Sequence, residues 1–165
     1  MKIRRADISD LDQIRRLYKE TITAVNKKDY DEKQISVWAS ASQDIAKWTS
    51  KINEQYFFVA EEENKIVGFG SVTKEGYLDY LYTHKDFQGQ GMATELLKVI
   101  EKKAKELNLK EIYAHVSITA RPFFESKGFA VTKTYITKVN GVEFEDCVLR
   151  KKIVSDLPSL RVSPP

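Results

Sequence analysis

Residues 87–97, FQGQGMATELL, place two of the chain's seven glycines two positions apart, directly before a helical pattern. Gly89 and Gly91 leave the main chain open to a ligand, and the first N–H groups of a helix attract anions. The phosphate loop of nucleotide hydrolases ends in Gly-Lys-Ser or Gly-Lys-Thr, but no Gly-Lys pair occurs in this chain. The stretch therefore predicts either an anion site made of backbone amides or a tight strand-to-helix turn that needs glycine only for its dihedral angles.

A dinucleotide-binding fold is one alternative, because Gly89-Gln90-Gly91 matches the beginning of its fingerprint. Thr94, however, stands where the third glycine belongs, and hairpin patterns surround the unit. Glu111 also begins the following predicted strand, whereas the acidic residue of that fingerprint ends it. These departures argue against a dinucleotide fold.

Hydrophobic periodicity and turn residues predict alternating strands and helices. The predicted strands cover residues 2–6, 56–60, 65–73, 77–83, 111–117, 129–139 and 142–151. The predicted helices are one that begins at Ser9 with Asp12 as capping partner, two short ones within 30–53, one over 93–107 and a short one over 119–127. Asn140-Gly141 closes the last two strands into a hairpin. The pattern predicts a single α+β domain over residues 1–154 and a proline-containing tail over 155–165.

Composition excludes several classes of function. The 27 Lys and Arg exceed the 24 Asp and Glu by only three, and the two signs are interleaved, which does not favour a nucleic-acid partner. The single cysteine, Cys147, rules out an internal disulfide and lies in no metal-ligand spacing. No segment has the length of a membrane span, and the first residues lack a signal-type apolar run. We therefore expect a cytoplasmic protein without a metal site, a nucleic-acid partner or a membrane partner.

A family resemblance rests on two motifs in the expected order. The first, QGQGMA at 88–93, matches the Gln/Arg-x-x-Gly-x-Gly/Ala signature of the GCN5-related N-acetyltransferase (GNAT) family. The second, SITARPFFESKGF at 117–129, is similar to the family's later cofactor segment. YDEKQISVWA at 30–39 and NGVEFEDCVLRKKI at 140–153 further resemble a bacterial subgroup whose acceptors are mostly unassigned. Over residues 1 to about 152 the resemblance implies the GNAT fold, a central and mostly antiparallel sheet with splayed middle strands, flanked by helices.

The resemblance implies acetyl-CoA as cofactor, held in the gap between the predicted strands 77–83 and 111–117. Loop amides would hold the pyrophosphate, a main-chain N–H near Tyr82 would polarise the thioester carbonyl, and the acetyl group would pass directly to an amine. Thr119 would bond the pantetheine amides and Lys127 would approach the phosphates. The alternative to the cofactor role is a helix cap for Thr119, which is favoured, and a solvated side chain for Lys127. The residues expected to contact the cofactor are Leu81, Tyr82, Thr83, Gln88, Gly89, Gln90, Gly91, Met92, Ala93, Thr94, Ser117, Thr119, Phe124 and Lys127.

An attacking amine must lose a proton, so the site needs a base. Asp79 lies on the strand expected to face the cofactor, where some family members carry an acidic base. Asp is disfavoured inside strands, which favours a functional role for Asp79 over an ordinary surface carboxylate. His84 and His115, at the ends of the two splayed strands, are the other candidates, although a lone histidine is more often a packing or surface residue.

The departing thiolate also needs a proton, and many relatives supply it from a tyrosine in the later segment. This chain has Phe123-Phe124 there, so Phe124 cannot act as the acid. Tyr80, Tyr82 or Tyr135 are substitutes, although tyrosine on a strand usually packs. A thiol is a tolerable leaving group near neutral pH, and transfer without a dedicated acid remains a second interpretation.

The acceptor wall is expected from residues 30–48, namely Tyr30, Gln34, Trp38 and Trp48. Tryptophan at helical spacing more often belongs to the core, which is the alternative for both tryptophans. The acceptor is predicted to be a small-molecule amine or a protein amine, and a homodimer is left open. The rival function is a CoA-binding module that senses acyl-CoA without catalysis.

Overall fold

The computed structural model describes residues 1–154, and the tail predicted over 155–165 lies outside the described residues. The described chain forms seven strands and five α-helices. The strands are β1 (Lys2–Arg5), β2 (Tyr56–Glu62), β3 (Lys65–Val72), β4 (Leu78–Thr83), β5 (Glu111–Ser117), β6 (Ala130–Val139) and β7 (Val142–Lys152). The helices are α1 (Leu11–Ala24), α2 (Glu32–Ser40), α3 (Ile45–Glu54), α4 (Met92–Glu106) and α5 (Arg121–Ser126). No helix within residues 1–154 is both long enough and apolar enough to cross a bilayer.

The strands form two antiparallel halves, one in the order β1-β2-β3-β4 and the other in the order β5-β7-β6. Among residues 1–154 the strands of the two halves are joined near the beginnings of β4 and β5, through a parallel bridge between Tyr77 and Tyr113. There the Tyr113 N–H donates to the Gly76 carbonyl at 3.0 Å. Beyond this bridge the two strands separate, and each pairs only with its outer neighbour within the described chain. The splayed middle strands are thus confirmed.

Helices cover both faces of the split sheet. On one face α4 and α5 enclose a core that includes Leu96, Ile100 and Phe124. On the other face α1, α2 and α3 enclose a core of aliphatic and aromatic side chains around Trp48 and Phe69. Because the helices shield each face, the split between β4 and β5 leads through the sheet from one helical layer to the other.

The start of α1 differs from the sequence prediction. The capping box is Asp7 with Asp10, and not Ser9 with Asp12; it closes the 3-10 turn Ile8–Asp10 that leads into α1. Asp10 is also the N-cap of α1, where it makes no side-chain cap bond. The Asp10 carboxylate accepts the Asp7 N–H at 2.8 Å and also binds Arg4. Tertiary contact with Arg4 therefore decides which of several acidic residues serves as the cap, and periodicity alone does not reveal it.

Gly76 fixes the point where the two halves join. Its φ is +97°, and a Cβ at this position would lie 2.7 Å from the Glu111 carbonyl oxygen. We expect Gly76→Ala to lower the free energy of unfolding by about 2 kcal/mol or more, since it combines left-handed strain with a backbone clash. Gly141→Ala is the matched control, because Gly141 has φ +77° with nothing within 4 Å of its Cβ position. Equal losses in urea unfolding would show that the contact with β5 contributes nothing.

Candidate functional site

A cavity of about 710 Å³ opens at the split between β4 and β5 and reaches both helical layers. One end contains the glycine turn and the β5–α5 segment, and the other contains residues between α1 and α2 together with the β6–β7 hairpin. Of the residues predicted to bind the cofactor, those lining it are Leu81, Tyr82, Thr83, Gln88, Gly89, Gly91, Met92, Ala93, Thr94, Ser117, Thr119 and Phe124. The glycine turn thus lines one part of this cavity, and the residues between α1 and α2 with those of the hairpin line a second compartment of it.

The glycine turn presents bare backbone to this cavity. Gly89 has φ +71° and Gly91 has φ +80°, and a Cβ built on either glycine meets no atom within 4 Å. Gly91 is the N-cap of α4 and lacks a side-chain cap, so the first amides of Met92–Glu106 are open to a ligand. Open amides and the positive end of a helix dipole are features that favour the binding of an anion.

The side chain of Gln88, which was expected to contact the cofactor, is hydrogen-bonded within the protein. Its Nε2 donates to the Thr83 carbonyl at 2.7 Å, which ties the loop to the end of β4. Thr21 Oγ1 donates to the same carbonyl at 3.0 Å. Gln88 therefore positions the turn, and the loop amides are left to face a ligand. Gln90 is exposed at the tip of the turn.

The later segment connects the two ends of the cavity. The sequence favoured Thr119 as the cap of α5, and this prediction was wrong. The N-cap is Ala120, which makes no side-chain cap bond. Thr119 Oγ1 donates instead to Asp29 Oδ2 at 2.7 Å, and the Tyr30 hydroxyl accepts the Ile118 N–H at 2.9 Å. Lys127 follows α5 with its ammonium 5.6 Å from the Phe123 ring centroid. The cap prediction failed because these partners lie about 90 residues away in sequence.

Aromatic residues form the wall of the second compartment. Tyr30 lies 5.3 Å from Trp38 and 6.2 Å from Phe144, measured between ring centroids. Gln34 is the capping-box partner of Asp31, whose N–H its Oε1 accepts at 2.9 Å. Its Nε2 donates to the Glu143 carbonyl at 3.0 Å, which fastens the wall to the hairpin. Trp48 is only 1% exposed, and its Nε1 donates to the Ala41 carbonyl, as the core alternative predicted. Tyr30 and Trp38 are therefore the predicted acceptor residues that the cavity actually reaches.

Asp79 reaches the cavity but is occupied by neighbours. Its Oδ2 forms an ion pair with the Lys51 ammonium and accepts from Gln55 Nε2 at 2.8 Å. His115 also lines the cavity, with Nδ1 2.5 Å from the Tyr135 hydroxyl. His84 lies outside the cavity lining within the described chain, and its Nδ1 accepts the Asp86 N–H at 3.1 Å. Asp79 and His115 thus stay candidates on geometry, whereas the contacts of His84 are those of a helix cap.

Asp146, on β7, is a cavity residue that sequence reasoning missed. Burial raises the pKa of its carboxyl above the usual range, and nearby His115 opposes that shift. The signal was present, because Asp is as unusual inside a strand at position 146 as at position 79. This signal does not identify Asp146 as a site residue by itself, because the hairpin pattern does not indicate which face of β7 lies at the split.

The tyrosines considered as acids are all weakened by their surroundings. Burial raises the pKa of Tyr82 well above its ordinary value, with further contributions from Tyr18 and Tyr80. Burial and the charge of Asp79 raise the pKa of Tyr80, and burial with Asp146 raises that of Tyr135. A phenol with a raised pKa gives up its proton less readily, so none of the three is poised as an acid.

Comparison with known proteins agrees with this architecture. An acetyltransferase (GNAT) domain model matches residues 26–150. The chain is 31% identical over 152 residues to "Uncharacterized N-acetyltransferase YafP" of Escherichia coli (strain K12), across 92% of this chain and 96% of that protein. A GCN5-related N-acetyltransferase structure from Rhodopseudomonas palustris matches with a TM-score of 0.88 at 26% identity, covering 92% and 94% of the two chains. PaiA N-acetyltransferase of Thermoplasma acidophilum, in complex with coenzyme A, matches with a TM-score of 0.76 at 20% identity, covering 92% and 98%.

The chain therefore belongs to the GNAT acetyltransferase family. This confirms the family, the α+β fold and the enzyme class predicted from the two motifs. The match extends well beyond those motifs, since it begins at residue 26 and ends at residue 150.

Proposed function

We propose that this protein transfers the acetyl group of acetyl-CoA directly to a primary amine. The observation that carries the proposal is the cavity through the split sheet, because it joins the open amides of the glycine turn to an aromatic compartment on the opposite face. A long anionic donor and a separate acceptor could approach the same opening from opposite sides. The proposal requires no covalent intermediate on the protein.

Residues of this chain fit the donor. The amides from Gln88 to Thr94 would hold the pyrophosphate, with no Cβ in the way at Gly89 and Gly91. The inner edges of β4 and β5 beyond the bridge carry main-chain groups that could pair with the amides of the pantetheine arm as a strand would. Ser117 Oγ, which accepts the Ala120 N–H at 3.3 Å, also faces this groove. Acetyl-CoA, when bound, supplies an activated thioester to the opening.

Direct transfer makes a simple prediction for the wild-type protein. Incubation with acetyl-CoA should release free thiol only when a primary amine is present, at a rate that rises with pH because the ammonium form of an amine is not nucleophilic. Thiol detection in a panel of aromatic, aliphatic and peptide amines measures this. Cys147 is buried and contributes little background. Thiol release that is independent of every amine would contradict the proposal.

A catalytically silent acyl-CoA sensor is the second candidate. The observation in its favour is Phe124 at the position where many relatives carry an acidic tyrosine, combined with the raised pKa of the nearby phenols. Calorimetry with CoA separates the two functions, because a sensor binds CoA tightly yet releases no thiol with any member of the amine panel. Amine-dependent turnover would exclude the sensor.

A further inference from the structure

Asp146 occupies a distinctive position on the acceptor side of the cavity. On β7 it stands directly opposite Ser117 of β5 and Tyr135 of β6, so it lies at the centre of its half-sheet beside the opening. Phe144, two positions earlier on the same face of β7, belongs to the aromatic wall. The carboxylate therefore lies between the split in the sheet and the surface that would hold the body of an acceptor.

This carboxylate is not neutralised by a partner. Among residues 1–154 no ion pair or hydrogen bond engages the Asp146 carboxylate, whereas Asp79 is paired with Lys51 and also accepts from Gln55. A half-buried carboxylate without a cationic partner is costly, and such groups cluster where a ligand supplies the missing charge. The titratable groups that interact electrostatically with Asp146 are Tyr30, Tyr77, His115, Tyr135 and Cys147.

We infer that Asp146 binds the ammonium group of the acceptor and removes its proton, with Asp79 held in a structural ion pair. This inference rests on the proposed function and deepens it. Overall, one C–N bond forms and the C–S bond breaks. One of the two protons lost by the ammonium goes to Asp146 and then to solvent, and the other goes to the departing thiolate. No oxidant or further reactant is needed.

The same geometry defines a class of acceptor. Tyr30, Trp38 and Phe144 line the same cavity as Asp146, with their ring centroids within 6.5 Å of one another. A cation anchored at Asp146 would place its attached body against these rings, which favours a flat, apolar group. We therefore infer that the acceptor is a primary amine with an aromatic or similarly planar body, such as an arylalkylamine.

The catalytic half of the inference is tested by three neutralising substitutions with 2-phenylethylamine as the probe. Asp146→Asn should lower kcat/KM by about 100-fold or more. The pH profile should also lose the limb that belongs to the carboxylate. Glu145→Gln, the exposed neighbour on the opposite face of β7, is the matched control and should stay within about twofold of wild type. A large loss in Asp79→Asn with little loss in Asp146→Asn would overturn the inference.

A binding measurement judges Asp146 without turnover. Calorimetry on the CoA-bound protein compares 2-phenylethylamine with the neutral 2-phenylethanol. Wild type should prefer the amine, and Asp146→Asn should lose that preference while CoA affinity and the melting temperature are retained. An undiminished preference would overturn the inference. If the wild-type protein releases no thiol, the proposed function is overturned, and proton removal by Asp146 is overturned with it. The calorimetric comparison would still decide whether Asp146 binds the ammonium group.

Discussion

Gly91→Val is expected to weaken CoA binding by about 100-fold while leaving the protein folded. A valine Cβ would project into the open space above the turn and block the approach of the pyrophosphate to the amides. Hydrogen bonds to a charged group contribute about 1.5–3 kcal/mol each, so the loss of two already accounts for a change of that size. Calorimetric titration with CoA measures the effect, and circular dichroism establishes that the variant is folded.

The matched control is Gly141→Val at the tip of the last hairpin. Gly141 has φ +77° and, like Gly91, meets nothing within 4 Å of its Cβ position. Both variants therefore carry a similar left-handed strain, but only Gly91 borders the cavity. Gly141→Val should keep wild-type CoA affinity. If Gly91→Val also keeps it, the glycine turn is not the pyrophosphate site.

Trp48→Ala should produce the largest loss of stability, about 3–5 kcal/mol in free energy of unfolding. Trp48 is 1% exposed, and its ring stacks on Tyr80 at 4.7 Å and meets Tyr18 edge-on at 4.9 Å. Truncation would leave a large void between α3 and β4 and would remove the Trp48 Nε1 hydrogen bond to the Ala41 carbonyl, which would keep only the longer bond from the Asp44 N–H at 3.4 Å. Urea unfolding followed by circular dichroism measures the change.

Trp38→Ala is the contrasting variant, because the same residue type there lies half-buried in the wall of the cavity. It should cost clearly less stability than Trp48→Ala, and its main effect should be a raised KM for aromatic amines. The outcome that would contradict this division is an equal loss of stability in both variants with no change in KM for Trp38→Ala. The pair separates a core tryptophan from a ligand-facing one.

Much of the cofactor side was predictable because it depends on local features. The glycine turn, the helix that follows it and the Asn140-Gly141 hairpin are each encoded within a few residues, and the structure has them as expected. The details that failed are side-chain hydrogen bonds. Gln88 binds the nearby end of β4, and Thr119 binds the distant Asp29 instead of capping α5. A side-chain donor chooses its partner only after the chain has folded, so sequence spacing could not assign either bond.

The sequence by itself determined the order of the elements and the glycine turn, because hydrophobic periodicity and backbone requirements act over short distances. It indicated the family through the resemblance of the motifs at 88–93 and 117–129. Only the tertiary structure decided which carboxylates face the opening and which tryptophan is core. Residues 79 and 146 are both aspartates within strands, but packing of α3 brings Lys51 to Asp79, whereas the pairing of β5, β6 and β7 leaves Asp146 without a cation in the described chain. The charge environment of a side chain depends on neighbours from distant segments, which no local pattern records.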